Sequence, residues 1–484
     1  MRMMKKSKHF HLMALGWLVL TLQGCGIPAM TAKKADTALP DSFNHKQGIS
    51  EQKNTATANW GDFFEDPHLI ALIKTAIANN KEVNIMLQRI SVAENEIQRR
   101  KGAYLPFVSI GAGAGADKVG QFTRSGAVEE NLEIRPGESF PTLLGDYQFG
   151  LFSTWEIDVW KKLRNEKQVA VLEYMASVDG RHFLVTNLVA EVAHSYYELL
   201  ALDNQLENLE QYIAILQNGL EMVKQLQIYA RSNALAVKRY AAEVTKNESK
   251  KYEIKQQISV IENRINFLLG RTAGPIKRNS AGFMGIKPKM LHVGIPSQLL
   301  QNRPDIRQAE LELSAADLNI KVARANFYPT FGIKAGIGFQ AFALKYLINT
   351  PESLAATIAG EIVAPLVNKN AIIAEYKNAN AKQIQAAYEY EQSIIKAYME
   401  VANQISNIDN LDKNYRFKND QVDSLVQSID VANQLFLSAR ADYLEVLLTQ
   451  RDALDAKKEL IETKQKQMVA VVDLYKSLGG GWQQ

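Results

Sequence analysis

The chain has 484 residues and a formal net charge of +4 at pH 7, and its 22% of charged residues mix both signs. This small, dispersed charge argues against a nucleic-acid-binding surface. The only cysteine, Cys25, cannot form an intramolecular disulfide. The seven histidines show no metal-ligand spacing, and no nucleophile–base motif is recognisable. The sequence therefore predicts neither an enzyme nor a bound cofactor or metal.

The amino terminus has the features of an export signal. Basic residues precede the apolar run Leu12–Leu22, which is too short to span a bilayer and is typical of a secretory signal. The run ends at Leu22-Gln23-Gly24-Cys25, which is similar to a bacterial lipobox. We expect a signal peptide at 1–24 and a covalent S-diacylglycerol and N-acyl lipid on Cys25, with ordinary signal cleavage nearby as the alternative. Gly26, in place of aspartate after the cysteine, favours the outer membrane.

Beyond a polar, alanine-rich segment, the chain repeats itself. Residues 25–59 have no sustained period and predict an extended, lipidated linker. The later stretch Tyr104–Gly115 aligns without gaps with Phe327–Gly338, at an offset of 223 residues. A period this long indicates a duplicated half-protein, not a solenoid. The predicted repeats occupy 60–275 and 276–484.

The first repeat begins with a helical pattern from Asp66-Pro67 to about Lys101, with proline at a first helical position. Two stretches of alternating polarity follow and predict a β-hairpin at 104–157. A long helix hairpin at 160–270 completes the repeat. Apolar residues in it are spaced alternately by three and four, which indicates a coiled-coil seam. The seam consists of Leu199, Leu202, Leu206, Leu209, Ile213, Leu216, Leu220 and Val223.

The second repeat follows the same plan. A helix begins at Arg303-Pro304-Asp305, a β-hairpin covers 327–366, and a helix hairpin covers 370–478. Four strands cannot close a barrel, and an open sheet edge in lipid would leave backbone groups unpaired. Three chains would supply twelve strands, within the range of outer-membrane barrels. A sheet that caps a pore-less, lipid-anchored coiled-coil scaffold is the alternative from another functional class.

Three segments resemble the signatures of one family. Trp60–Leu72 is similar to the amino-terminal signature of the TolC-like outer-membrane efflux proteins, and Leu474–Trp482 is similar to their carboxy-terminal ending. Arg303–Glu310 resembles the mid-chain signature of their NodT-type lipoprotein branch. The resemblance covers the chain from about residue 60 to its end, and three separated motifs in order make it specific.

The resemblance implies a mixed α+β membrane protein. Its expected form is a homotrimer with a shared twelve-stranded outer-membrane β-barrel, continued by a long α-helical periplasmic barrel with an equatorial domain. It implies passive export of drugs or other small molecules from an inner-membrane pump of the resistance–nodulation–division (RND) type, through a periplasmic adaptor protein. Outer-membrane lipid would be a further partner. Ducts for metal efflux or for type I protein secretion are the alternatives within the family.

The turns between the paired long helices resemble the family's periplasmic tips, at Tyr229–Leu235 and Ser438–Leu447. The adaptor contacts that this resemblance implies are Ala230, Arg231, Ser232, Ala439 and Arg440. The aperture residues that it implies are Arg440, Asp442 and Glu445. Alanine stands at 230 and 439, where relatives usually have glycine, and alanine disfavours the left-handed backbone that glycine accepts readily.

Overall fold

The computed structural model describes residues 27–43, 54–289, 291–367, 369–438 and 440–483. The expected signal peptide, the lipidation residue Cys25 and the tip residue Ala439 lie outside the described residues. Within the expected linker, residues 27–43 form neither helix nor strand.

Long helices make up most of the described chain. The helices of two turns or more are α1 (Pro67–Asn79), α2 (Lys81–Tyr104), α3 (Arg124–Asn131), α4 (Lys162–Ile228), α5 (Ala234–Leu268), α6 (Pro304–Ala325), α7 (Asn370–Leu437) and α8 (Tyr443–Ser477). Single helical turns occupy Thr55–Thr57, Trp60–Phe63, Phe283–Gly285, Pro296–Gln298, Leu299–Asn302 and Leu344–Tyr346. None of the helices in the described part is long and apolar enough to cross a membrane.

The pattern that predicted one helix up to about Lys101 contains two helices, because Asn80 separates α1 from α2. Asn80 has a ψ of 132°, outside the helical range. Its Oδ1 accepts hydrogen bonds from the backbone N–H groups of Glu82 and Val83, at 2.9 and 3.1 Å. Its Nδ2 donates to the carbonyl oxygen of Leu268 at 3.0 Å. The prediction of a continuous helix was wrong here, since Asn80 caps α2 and binds the end of α5.

Four strands form one antiparallel sheet. They are β1 (Phe107–Asp117), β2 (Leu144–Ile157), β3 (Thr330–Ala341) and β4 (Leu354–Val363), in that spatial order. Each repeat supplies one hairpin, and the two hairpins join through β2 and β3, with Phe152 opposite Gly336. The loop between β1 and β2 also contains α3 and two short paired strands, Glu133–Arg135 and Glu138–Ser139, which the sequence did not predict. β1 and β4 are the edges of this sheet.

The chain divides into two compact units. The first comprises Val92–Tyr174, Leu311–Ala387 and the described residues 27–34, and it contains the sheet. The second comprises Ala35–Ser91, Met175–Glu310 and Tyr388–Gln484. Each unit therefore takes segments from both repeats.

In the first unit, two tryptophans bind the ends of the strands to neighbouring segments. Trp155 Nε1 donates to the carbonyl oxygen of Tyr104 at 3.1 Å. Trp160 Nε1 donates to the carbonyl oxygen of Pro329 at 2.7 Å, and its ring stacks on Tyr328 with centroids 4.6 Å apart. Hydrogen bonds donated by the indole N–H groups thus hold the ends of the strands to the neighbouring segments.

The core of the second unit lies along the middle of α4. Tyr196 and Leu199 are fully buried, in an apolar cluster that includes residues of α1, α5 and α8. The Tyr196 hydroxyl donates to Asp66 Oδ2 at 2.6 Å, and Asp66 is the N-cap of α1. Burial raises the pKa of Tyr196 well above its usual range, and the hydrogen bond to Asp66 raises it further.

The predicted coiled-coil seam continues this core along α4. Leu209 and Leu216 are buried in a second apolar cluster. The cluster also contains Tyr240 of α5 and Tyr443 and Leu447 of α8. The spacing of three and four residues therefore did identify a packed helix face.

Candidate functional site

The sheet carries its charged side chains on one face. Side chains alternate between the two faces of a strand, and paired residues on neighbouring strands share a face. The registers of the four described strands place their charged residues on one face, here called the charged face: Asp117, Asp146, Glu156, Lys334 and Glu361. Lys334 Nζ lies 2.6 Å from Glu361 Oε2, so one of the four carboxylates is paired with the single lysine.

The opposite, apolar face exposes large hydrophobic side chains. Ile110 of β1 is 69% exposed, Ile337 of β3 is 55% exposed and Ile358 of β4 is 83% exposed. Apolar side chains exposed together mark a surface that contacts lipid or another protein. Opposite a charged face, this is the pattern of a membrane barrel, which is apolar outside and polar inside.

Aromatic residues lie towards both ends of the apolar face. Tyr147 and Phe339 lie towards one end of β2 and β3, and Trp155 and Phe331 lie towards the other. Trp155 follows Tyr147 by eight residues, a distance of about 26 Å at the rise of a β-strand. Outer-membrane barrels have an apolar band of about 25 Å between two aromatic girdles. Because the strands of such barrels are tilted by about 35–45°, 26 Å of strand rises about 20 Å, which places these aromatic residues near the borders of such a band.

Glycines make room for an aromatic ring on the charged face. A Cβ at Gly111 would lie 3.1 Å from Cε2 of Phe152, and a Cβ at Gly336 would lie 3.2 Å from Cδ1 of the same ring. The alternating glycines near Gly111 therefore let a neighbouring strand place its phenylalanine over them. Their role is packing in a sheet, as their position in an alternating stretch without a following lysine and serine indicates.

The first tip turn joins α4 to α5 and places an alanine in the left-handed region. Ala230 has a φ of +54°. Its N–H donates to Gln227 O at 3.0 Å, and the N–H of Arg231 donates to Leu226 O at 2.8 Å. These are the two hydrogen bonds of a Schellman motif, which satisfy the last carbonyl groups of α4. The turn thus forms with alanine where glycine would be unstrained.

The second tip turn joins α7 to α8 and has the same long hydrogen bond, from the N–H of Arg440 to Leu435 O at 2.8 Å. The two turns differ in the helix that follows. Asn233 Oδ1 accepts from the N–H of Ala236 at 3.0 Å and caps α5, whereas the side chain of Asp442 makes no such bond at the start of α8. The second turn lacks the side-chain cap that stabilises the first.

The described tip residues lie at or near the surface. Those that are exposed are Ala230, Arg231, Arg440, Asp442 and Glu445, and Ser232 is half-buried. In the described part of the chain, Glu445 forms no ion pair with Arg440. Behind the turns, Tyr240 of α5 packs in one cluster with Tyr443 and Leu447 of α8. The structure therefore brings the return helices of both tips together and leaves the polar tip side chains accessible.

The amino-terminal and carboxy-terminal signatures pack together in the second unit. Phe63 stacks on Tyr475 with ring centroids 3.9 Å apart, and Phe64 meets Phe63 edge-on at 4.8 Å. The Tyr475 hydroxyl donates to the carbonyl oxygen of Ala58 at 2.6 Å. These residues therefore hold the two signature segments together by burial of aromatic surface.

Arg303, from the mid-chain signature, is buried among acceptors. Its Nη1 donates to Glu400 Oε2 at 2.7 Å and to Ser477 O at 2.9 Å. Its Nε and Nη2 donate to the carboxylate of Asp305 at 3.0 and 2.7 Å. Burial acts to lower the pKa of Arg303, but its hydrogen bonds to Asp305 and Glu400 raise it above the usual value. Sequence reasoning missed this role, since Glu400 and Ser477 lie far along the chain.

Histidines and acidic residues contribute to packing. The part of the chain that the structure describes contains no group of three or more His, Cys, Asp or Glu side chains placed to hold a metal ion. His182 on α4 stacks on Trp482 with ring centroids 4.4 Å apart. His194 Nε2 lies 3.0 Å from Asp473 Oδ1. Both histidines are thus contacts between helix α4 and the carboxy-terminal part of the chain.

The sequence is similar to those of known outer-membrane proteins. The family model described as outer membrane efflux protein matches residues 72–271 and 295–480. The chain is 26% identical over 469 residues to the cation efflux system protein CusC of Escherichia coli O6:H1, covering 96% of this chain and 98% of that relative. It is 26% identical over 442 residues to the toluene efflux pump outer membrane protein TtgI of Pseudomonas putida, covering 90% of each.

The fold is similar to that of a solved outer membrane channel. The structure of the open state of the MtrE outer membrane channel of Neisseria gonorrhoeae matches with a TM-score of 0.81 at 20% identity, over 94% of this chain and 99% of that one. At this identity the likeness shows the fold alone. It confirms the fold class predicted from the sequence.

Proposed function

The chain belongs to the outer membrane efflux protein family, and we propose that it is the duct of a tripartite pump, fed by an inner-membrane RND-type pump through a periplasmic adaptor. Efflux across the outer membrane follows from the family. The observation that best supports a duct is the two-faced sheet, because its charged face can line an aqueous path while its apolar face contacts lipid.

The proposed assembly is a homotrimer. β1 and β4 are the edges of the sheet, and each backbone group left unpaired in the hydrocarbon layer costs several kcal/mol. Strand direction alternates through the sheet, so β1 of one copy can pair antiparallel with β4 of the next. Three copies then close a twelve-stranded barrel, within the range of outer-membrane barrels.

The proposed cargo is a drug or another small molecule, conducted passively. Similarity to a toluene efflux protein supports an apolar cargo, and similarity to a cation efflux protein makes metal cations the second candidate. Growth of a deletion strain on a panel of drugs, solvents and metal cations decides between them. Sensitivity confined to metal cations would overturn the drug proposal, and an ABC exporter encoded beside the gene would favour type I secretion.

The tip turns are the proposed docking and closing sites. The proposed adaptor contacts are Ala230, Arg231, Ser232, Ala439 and Arg440. The proposed aperture residues are Arg440, Asp442 and Glu445. The accessibility of the described members, at turns between long helices, supports both roles. Ala439 lies outside the described residues.

The proposed membrane anchor is a lipid on Cys25. The support is the short apolar signal that ends at this single cysteine. Radiolabelled palmitate should enter the wild-type protein and not the Cys25→Ser variant, exported with an alternative signal. Equal labelling of both would overturn the lipid assignment.

Planar-bilayer recording tests the duct itself. The purified protein should give stepwise ionic currents, because a closed barrel with a charged interior is water-filled. A lipid-anchored scaffold without a pore would give none. Absence of current from protein that is shown to be trimeric would overturn the duct.

A further inference from the structure

The amino-terminal segment 27–43, here called the strap, lies along α7. The backbone N–H of Lys33 donates to Gln383 Oε1 at 2.9 Å, and Gln383 Nε2 donates to Lys33 O at 2.8 Å. One side-chain amide thus binds both polar groups of one strap residue. Gln383 is 1% exposed, so this pair of hydrogen bonds is shielded from water.

Further contacts continue along the same helix. The N–H of Asp36 donates to Glu391 Oε1 at 2.8 Å, and the Tyr398 hydroxyl donates to Ser42 O at 3.4 Å. Phe43 is buried and stacks on Tyr398 with ring centroids 5.6 Å apart. The contact points on α7 are separated by eight and then seven residues, close to two helical turns each. The strap therefore follows one face of α7, in the same chain direction.

The strap and the helix are matched in chemistry. Pro28 and Pro40 favour an extended chain, whose N–H and C=O groups have no helical partners. Gln383 supplies a donor and an acceptor for these groups, and its own buried amide would be left unpaired without them. Tyr196 matches Tyr398 between the two repeats, at an offset of 202 residues, but it binds the cap of α1 instead. The second repeat uses this position to hold the strap.

We infer that Gln383 is a positioning residue that fixes the strap on α7 and thereby sets where the lipid anchor meets the membrane. Cys25 stands eight residues before Lys33, a reach of at most about 28 Å. Asn370, the first residue of α7, stands thirteen residues before Gln383, about 20 Å along the helix. The tether is thus long enough for the lipid to reach the start of α7, shortly after Val363 ends β4.

Without the clamp at Gln383, the anchor would be poorly placed. The next contact, a single hydrogen bond at Asp36, is eleven residues from Cys25, and the buried contact at Phe43 is eighteen residues away. The tether would then reach up to about 38 Å from Asp36, or about 60 Å from Phe43 once that single bond opens. A lipid on a longer tether would be held less closely to the end of the sheet. The inference rests on the proposed lipidation of Cys25, whereas the clamp itself can be measured independently of the lipid.

A nitroxide on a Lys34→Cys variant tests the clamp in the full-length protein in liposomes. The lipidated sulfur of Cys25 is a thioether, so the new cysteine is the reactive thiol. Gln383→Leu removes both hydrogen bonds at similar volume, and Gln383→Glu keeps only the acceptor. Gln392→Leu, at an exposed position on the same helix, is the matched control. The readouts are the mobility of the label and its distance from a nickel-chelating lipid.

The expected result is a graded release of the strap. Gln383→Leu should lose the immobilised spectral component and broaden the distances to the bilayer, Gln383→Glu should give a smaller loss, and Gln392→Leu should match the wild type. Trimer yield and conductance should not change. An immobilised label in Gln383→Leu, or equal release in the Gln392→Leu control, would overturn the inference. In Cys25→Ser, label mobility should still depend on Gln383 while the bilayer distances do not, which separates failure of the clamp from failure of lipidation.

Discussion

The long helices of the two repeats have nearly the same lengths: α4 and α7 have 67 and 68 residues, and α5 and α8 have 35 each. Both return helices also end in the same turn, at Gly270 with a φ of +69° and at Gly479 with +94°. A Cβ at Gly270 would lie 2.3 Å from Asn79 O, and one at Gly479 would lie 2.5 Å from Asn302 O. The left-handed backbone and the close approach of a neighbouring carbonyl oxygen both require glycine at these two positions. The two repeats therefore share the same residue here.

The same helices differ in what covers them. α8 has buried residues from Tyr443 to Ser477, whereas few residues of α5 are buried. Phe267 of α5 is 71% exposed and Phe417 of α7 is 75% exposed. Large apolar side chains this exposed in a single chain are typical of contacts with another protein. The comparison indicates that α4 and α8 supply most of the core of the second unit, and we expect α5 and α7 to contact neighbouring copies.

The largest effect is expected in the core along α4. Leu209 is 4% exposed and packs in one cluster with Leu447. Truncating a buried leucine costs about 2–5 kcal/mol, and a buried carboxylate adds its desolvation. Leu209→Asp should therefore abolish the mature trimer on gels of unheated membranes, while Glu210→Ala, at an exposed position, should not. Normal assembly of both variants would refute the seam.

The next largest effect should distinguish Arg303 from Asn80. Arg303 donates a hydrogen bond to the carbonyl oxygen of Ser477, at the end of α8, and Asn80 donates to that of Leu268, at the end of α5. Arg303→Met removes the partner of Asp305 and Glu400, whose carboxylates are partly exposed, so the loss should approach, without exceeding, the ~3–5 kcal/mol of a fully buried ion pair. Asn80→Ala removes a cap worth about 0.5–2 kcal/mol. The temperature at which the trimer dissociates should fall more in Arg303→Met. Equal losses would mean that the two residues hold their helices equally.

Local patterns predicted the elements that bury one face. The alternation of polarity around Ile110 predicted strands, and the spacing of apolar residues around Leu209 predicted a packed helix. Both signals come from residues that are close together in the sequence. Partners at long range were beyond such patterns. The break at Asn80 depends on meeting Leu268, and the burial of Arg303 depends on carboxylates and a carbonyl that only the fold brings close.

The candidate site shows the same division. The positions of the tip turns could be predicted from their resemblance to the family's tip motif, but not their conformation. Alanine disfavours a left-handed backbone, yet Ala230 adopts one, and two hydrogen bonds join this turn to the end of α4. The charged face required the register between β2 and β3, and pairing between separate hairpins is not encoded in the periodicity of either one.

An intermediate effect is expected on the exposed face of α7. Ile395 is 59% exposed in the single chain, and burying such a side chain against a neighbouring copy stabilises by about 1.5–3 kcal/mol. Ile395→Asp should reduce the trimer and leave the helical circular dichroism of the chain unchanged. Lys396→Ala, at the adjacent exposed position, is the control. If Ile395→Asp formed a normal trimer, this face of α7 would be exposed to solvent, and the proposed difference between α7 and α8 would be wrong.

A smaller effect separates alanine from glycine at the helix ends. The left-handed backbone of Ala230 costs about 1 kcal/mol, so Ala230→Gly should raise the dissociation temperature of the trimer slightly. Gly270→Ala should lower it, because its Cβ would meet Asn79 O as well. If both variants shifted the dissociation temperature in the same direction, either the strain assigned to Ala230 or the steric requirement assigned to Gly270 would be wrong.

The smallest expected effect concerns Glu445, which lies on the third position of α8 and is exposed. A tip that narrows brings three copies of α8 together, so inward-facing carboxylates would form a ring that favours cations and resists tight closure by like-charge repulsion. Glu445→Ala should then lower the cation preference of single-channel currents without changing trimer yield. Arg231→Ala, which removes a charge from the first tip, should leave the cation preference unaltered if that turn serves docking alone.

The orientation of Glu445 can also be measured directly. Glu445→Cys, combined with Cys25→Ser and an alternative export signal, leaves one cysteine per chain. If the three side chains face the axis, oxidation should form disulfide-linked dimers and block efflux until a reductant is added, because a disulfide requires the Cα atoms to approach within about 7 Å. A cysteine on the outer surface of the tip would give no dimers and unchanged efflux. Unchanged selectivity in Glu445→Ala together with absence of cross-links would assign this carboxylate to the solvent-facing side of α8, and the aperture would then depend on Asp442 and Arg440.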